Sequence, residues 1–190
     1  MSTRTEPTGV VLDCVVFLQA VANDKGSAAR ILDLLDEGLI TIYVSRATLA
    51  EARYVLYRQD LRALIRTLND KAVDALFERL DRSAVMIKRV PTRFRFLRDP
   101  KDEPYINLAL ASGAEYLISR DRDLLDLMVW DREEGREFQR RFRFLKIVTP
   151  KNFSAFLMIP NKIPDQGRDP SGILDDAQTQ QVIYADSYTI

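Results

Sequence analysis

The chain predicts an α/β domain with three layers, a central and mostly parallel sheet covered by helices on both faces. Two features of residues 9–157 predict it. Short apolar runs alternate with stretches of helical periodicity. Those runs are apolar throughout rather than at every second position, as in strands buried on both faces.

The elements follow in order. Gly9 to Leu12 is short, β-branched and apolar, and reads as a buried strand that ends at Asp13. Helical material follows from Val16 to Ala22 and from Ser27 to Glu37. In the second stretch Ala28, Ile31, Leu34 and Leu35 form a stripe and Gly38 stops the helix. Leu39 to Val44 predicts a second strand, and Ser45 an N-cap for a helix over Arg46 to Arg58. Two further helices are expected over Asp60 to Leu68 and Lys71 to Leu80, the latter capped by Asn69 or Asp70. Ala84 to Val90 reads as a third strand. A helix runs from Asp102 to Gly113, with Pro104 in its first turn, and a strand covers Glu115 to Ser119. Phe144 to Val148 is the last expected strand, and Thr149-Pro150 opens a closing helix through Leu157.

Composition narrows the chemistry. At 190 residues, with 28 basic and 28 acidic side chains, the whole-molecule charge selects no partner. The lone cysteine, Cys14, cannot form an internal disulfide, which favours a reducing cytoplasm, and the expected role for it is a small buried residue. No apolar stretch approaches the roughly 18 residues that span a bilayer, and MSTRTEPTG lacks a hydrophobic signal core. The chain has no histidine, which excludes Ser-His-Asp and Cys-His hydrolysis and His-ligated zinc.

Four carboxylates stand at the ends of predicted core elements: Asp13, Glu51, Asp102 and Asp121. Each has an ordinary structural use. Asp13 and Asp102 are at helix starts, Glu51 borders an apolar stripe, and Asp121 with Asp123 can begin a turn. A carboxylate closing a buried strand is costly unless hydrogen bonds or a cation compensate it. Convergence of the four would make a site for a hard divalent cation held through oxygen alone, Mg²⁺ or Mn²⁺ by ligand preference. Asp13 and Asp121, both past strand carboxyl ends, would share one rim of the sheet, where such folds bind ligands.

The joint spacing resembles the PIN domain family of metal-dependent ribonucleases, and within it the subgroup assigned to toxin–antitoxin pairs. The resemblance rests on VVLDCVVFLQA around Asp13, YVSRATLAEARYVLYR around Glu51, and RDPKDEPYINLALASGAEYLISRDRDLL, which holds Asp102 and Asp121 with Asp123 as a helper. LKIVTPKNFSAFL matches the family's ending, so the resemblance spans about residues 9–157. It implies a PIN-like fold in which Asp13, Glu51, Asp102 and Asp121 are catalytic and, with Asp123, hold metal. It further implies RNA cleavage leaving a 5′-phosphate and a 3′-hydroxyl, a homodimer, and a cognate antitoxin. Ser119 keeps a hydroxyl that the family tends to place two residues before the last aspartate. Val15 departs from the pattern: the family usually has a small polar side chain there, often Asn, and its loss would weaken the metal shell. That departure keeps a second reading open, a catalytically weak PIN-fold module that binds RNA or protein.

A polyanion approaching an acidic pocket needs basic flanks. KRVPTRFRFLR, from Lys88 to Arg98, holds five cations and no acid and carries Arg93, Arg95 and Arg98 among phenylalanines. Arg136 to Lys146 carries Arg140, Arg141 and Arg143 in a similar alternation. These six arginines are the expected RNA contacts, with Phe either stacking under bases or packing into the core. The expected nuclease domain covers residues 1–159. Residues 160–190 read as a Pro/Gly linker and an acidic tail, with five aspartates against one arginine from Asp165 onward.

Overall fold

The structure is a computed structural model, and it describes residues 6–157. The acidic tail and its linker lie outside the described residues. The chain divides into two units, the first ending at Ser154; the fold below is that of the first.

Five strands, β1 (Thr8–Leu12), β2 (Ile40–Val44), β3 (Val85–Met86), β4 (Tyr116–Ile118) and β5 (Lys146–Val148), form one sheet. Their order is β3-β2-β1-β4-β5, and every pairing is parallel. The helices are α1 (Cys14–Ala22), α2 (Ser27–Asp36), α3 (Arg46–Leu56), α4 (Gln59–Leu64), α5 (Asp70–Ser83), α6 (Glu103–Ser112), α7 (Arg122–Asp126), α8 (Glu133–Arg141) and α9 (Pro150–Leu157). This is the expected three-layer α/β/α architecture.

Strand order positions the site. From β1 the chain moves to β2 and β3 on one side, then crosses back to place β4 on the other side of β1. Adjacent parallel strands whose connections leave in opposite directions open a crevice beyond their carboxyl ends. Here the crevice lies between β1 and β4, paired in register Leu12 to Ile118. The central strands are apolar because both faces are covered: Val10, Val11, Leu12, Ile42, Leu117 and Ile118 are buried. Gly9 admits the Tyr43 ring of the neighbouring strand, since a Cβ there would lie 2.9 Å from Tyr43 Cε2.

Helix signals resolve locally. Ser45 caps α3, accepting from the Thr48 N–H while the Thr48 hydroxyl accepts from the Ser45 N–H. Asn69, not Asp70, caps α5 through the Ala72 N–H. Six consecutive residues of α6, Tyr105 to Leu110, are buried, so α6 lacks the one-sided stripe of a surface helix. Gly113 closes it in the left-handed conformation at φ 71°.

Two expectations are corrected. The strand expected over Ala84 to Val90 pairs only at Val85–Met86, because Pro91 removes a donor and Lys88 and Arg89 favour water. The helix expected over Asp60 to Leu68 ends at Leu64. The segment Arg136 to Lys146 contains most of α8. Consequently Phe94, Phe96, Phe138 and Phe142 are buried, and Phe94, Phe138 and Phe142 pack with ring centroids 5.1 to 5.9 Å apart. Stacking under bases is closed to these four rings; only Phe144 of the group is exposed.

Gly135 lets α8 start against the preceding turn. A Cβ there would collide with the Val129 carbonyl oxygen and stand 3.1 Å from that of Asp126. Gly135→Ala is expected to cost about 1–3 kcal/mol, the usual range for overpacking, read by urea denaturation. Unchanged stability would mean that α8 shifts freely.

Candidate active site

Asp13 follows β1 directly and is 4% exposed. Its carboxylate is held at both oxygens: Oδ1 accepts from the Val15 N–H at 3.1 Å, and Oδ2 from the Ser119 hydroxyl at 2.6 Å. The first bond caps α1. The second crosses from β4 to β1. The Ser119 oxygen in turn accepts from the Asp121 N–H at 2.9 Å, so one hydroxyl ties both rim aspartates together.

Asp121 caps α7, its Oδ1 accepting from the N–H groups of Asp123 at 2.7 Å and Leu124 at 3.4 Å. Its Oδ2 is free of these bonds and the residue is exposed at the rim. Asp102 occupies the N-cap position of α6 but makes no capping bond. Its Oδ2 is buried without a hydrogen-bond partner. Burial pushes this carboxyl up to about 7, followed by the charges of Asp121, Asp13, Asp99 and Glu51. Glu51, half-buried on α3, is also pushed up, first by burial and then by Asp13 and Asp99, while Lys101 acts in the opposite direction.

The chain therefore brings Asp13, Glu51, Asp102 and Asp121 into one electrostatic neighbourhood at the carboxyl rim. Asp123 faces elsewhere in part: its Oδ1 lies 3.4 Å from the Arg98 guanidinium. In kind the donor set fits a hard cation, being all oxygen, with one buried oxygen lacking any partner. In spacing the ligands stand apart: among the described residues no three of Asp, Glu, Cys and His converge closely enough to hold an ion.

Two residues at the site carry no obvious signal in the sequence. Asp99 adds negative charge beside Asp102 and Glu51 and also turns the chain, accepting from the Lys101 N–H at 2.9 Å. Its place three residues before Asp102 was the available clue. Tyr105 is fully buried beside Cys14 and Glu51, and its hydroxyl lacks a hydrogen bond of good geometry. Burial raises the Tyr105 hydroxyl well above its ordinary range and pushes the Cys14 thiol up to about 12, so Cys14 is an inert core residue. The Val15 side chain is 40% exposed, whereas its backbone N–H holds Asp13. Orientation of Asp13 thus comes from the backbone and Ser119, and survives the loss of a polar side chain at position 15.

The six arginines expected to contact RNA have separate fates. Arg98 bridges Asp126 at 2.9 Å and Glu134 at 2.7 Å besides Asp123. Arg93 donates to the Leu110 carbonyl and Arg141 to that of Arg93, both at 3.0 Å. Arg95 lies 3.5 Å from Glu103, and Arg140 lies over the Trp130 ring. Arg143 is exposed.

Residues 9–123 match the PIN domain family. Over 144 residues the chain is 32% identical to an uncharacterized protein, MJ1680, of Methanocaldococcus jannaschii; the match covers 76% of this chain and 88% of that protein. This chain belongs to the PIN domain family. PIN domains are in general nucleases that hydrolyse phosphodiester bonds and typically use divalent metal, which makes its function nuclease-type.

Asp102 supplies a stability test. Folded, it keeps its proton up to about pH 7; unfolded, it releases it near the ordinary aspartate value of 3.8. The folded state binds more protons within that window, so this group's contribution to stability falls as pH rises through it. In EDTA, Asp102→Asn should flatten the decline of melting temperature between about pH 4 and pH 7 and melt above wild type at about pH 8. Parallel curves for the two proteins would mean that Asp102 is solvated and unstrained.

Proposed function

We propose that this protein is a metal-dependent endoribonuclease that hydrolyses single-stranded RNA at Asp13, Glu51, Asp102 and Asp121. The observation that carries the reading is the buried, unpartnered Asp102 oxygen within the electrostatic reach of Asp13, Glu51 and Asp121 at the strand-order switch. Uncompensated, such a group destabilises the fold, and a site that stores this tension is commonly functional. Asp13 and Asp121 are the main ligands for Mg²⁺ or Mn²⁺, with Glu51 and Asp102 completing the shell directly or through water and Asp123 helping at the edge. The bound cation supplies positive charge for the scissile phosphate and a more acidic water.

The chain's own groups do the rest. Ser119 keeps Asp13 oriented and in register with Asp121. Asp102, with its acidity shifted towards neutrality, is suited to accept a proton from the attacking water, and Glu51 to orient that water. Hydrolysis of the phosphodiester breaks the bond to the 3′ oxygen and leaves a 5′-phosphate and a 3′-hydroxyl.

The resemblance to the toxin subgroup supports a role as the toxin of a toxin–antitoxin pair, working in the cytoplasm as a homodimer. Among the described residues no helix is long and apolar enough to cross a membrane. A small antitoxin gene immediately upstream is the direct check on that role. The spacing of the carboxylates favours a second reading, a PIN-fold module that binds RNA and cuts it weakly or not at all.

Purified protein with Mg²⁺ or Mn²⁺ and a single-stranded RNA separates the two. Cleavage is expected, lowered at least about 100-fold by Asp13→Asn or Asp121→Asn and about 10-fold by Ser119→Ala, the usual cost of losing a ligand's support. Cleavage unchanged by either aspartate substitution places the chemistry elsewhere. Binding without cleavage selects the second reading.

A further inference from the structure

The parallel sheet sorts the basic side chains by edge. Helix α6 runs from the carboxyl rim, at Asp102, back towards the start of β4, so Leu110 lies about 12 Å along its axis from the acidic cup. Arg93 is tied to Leu110, and Arg141 to Arg93, so this pair belongs towards the amino edge. Arg143 and Lys146, just before and at the start of β5, are on the amino edge too. Arg98, nearer the cup, is occupied by three carboxylates.

A different set of cations lines the carboxyl edge. Lys88 and Arg89 follow β3, and Arg46 follows β2 at the first residue of α3. Arg120 and Arg122 flank Asp121 after β4, and Lys101 precedes Asp102 at a position where it acts on Glu51. All six are exposed. None takes part in a salt bridge among the described residues. In strand order they fall on both sides of Asp13: Lys88 and Arg89 at β3 and Arg46 at β2, then Arg120 and Arg122 at β4.

We propose that the RNA backbone lies across the carboxyl edge of the sheet, perpendicular to the strands, gripped by Lys88, Arg89 and Arg46 on one side of the cup and by Arg120 and Arg122 on the other, with Lys101 beside Glu51. The assignment rests on the ribonuclease reading above and specifies where its substrate binds. From β3 to β4 is three strand spacings, roughly 14 Å, so the two groups hold different phosphates of one strand. The acidic cup repels a polyanion, and cations on both flanks draw the phosphate between them over the carboxylates despite that repulsion. What sets these cations apart from Arg143 and Lys146 is their place past the carboxyl ends of the strands, around Asp13. Phe94, Phe96, Phe138 and Phe142, being buried, add no base stacking on this track, and its cations grip phosphates without reading sequence.

The test uses the full chain carrying Asp121→Asn, with Mg²⁺, and a fluorescein-labelled single-stranded RNA whose anisotropy is followed against KCl concentration. Adding Lys88→Gln with Arg89→Gln, or Arg120→Gln with Arg122→Gln, should weaken binding and shrink the slope of log affinity against log salt by about 1.4, two lost phosphate contacts. Arg82→Gln with Lys146→Gln, at the amino edge just before β3 and at the start of β5, should change neither quantity. Rim variants that bind like their parent, or an amino-edge pair that carries the loss, overturn the proposed track while wild-type cleavage leaves the ribonuclease reading standing. A parent that binds no RNA, together with a wild type that cuts none, removes both.

Discussion

One hydroxyl organises the crevice. Ser119 donates to Asp13 and accepts from the Asp121 backbone, and it can do both only because β1 and β4 are neighbours in parallel register. The crossover that places β4 beside β1 therefore does more than close the sheet. It turns two aspartates separated by more than a hundred residues of chain into one rim. Asp13 is tolerated at a buried strand end because both its oxygens have donors. No salt bridge to Asp13 is needed to hold it there.

Asp102 is the opposite case. It stands where a helix cap would, has no capping bond, and leaves one oxygen buried and unpaired. Helix α6 cannot release it, because Tyr105 to Leu110 are locked in the core immediately behind. Asn107 fastens the preceding strap as well, accepting from the N–H groups of Arg93 and Phe94 and donating to the Phe94 carbonyl. Arg98 then joins that strap to α7 and α8 through its three carboxylates. The result is a rigid seat that holds a carboxyl group in a place water alone does not satisfy. Electrostatic tension of this kind is relieved by a proton or by a cation, and the family's chemistry makes use of the cation.

Much of this was legible in the residues, for identifiable reasons. Apolar runs such as VVL before Asp13 and ITIYV before Ser45 declare buried parallel strands, and Ser45, Asn69 and Gly113 mark helix ends through local hydrogen bonding that needs no tertiary context. Asp13, Asp102 and Asp121 were legible through their positions at element ends, and Glu51 through its place beside the apolar stripe of α3. What escaped depends on packing. The alternation of Arg and Phe from Lys88 to Arg98 and from Arg136 to Lys146 suggests a nucleic-acid surface, yet one segment is an irregular strap and much of the other is helix, and both give phenylalanines to one buried cluster. Exposed cations are equally silent. Nothing in the string distinguishes Arg98, closed by three acids, from Arg120, which has none; only the partners do. Asp99 and Tyr105 reach the site through the turn and helix that also carry Asp102, and neither residue type announces it.

Fold, site charge and rim cations form one electrostatic account. The proposed cation lies within the carboxylate cup at the strand-order switch, and the proposed polyanion above it. Its central claim is that Asp102 shares an ion with the aspartates Ser119 holds together. Crystals soaked in Mn²⁺ and measured for anomalous scattering test it most directly. The account predicts a peak bounded by the carboxylates of Asp102, Asp13 and Asp121. A well-ordered crevice with no peak, at Mn²⁺ concentrations that support cleavage, would contradict it.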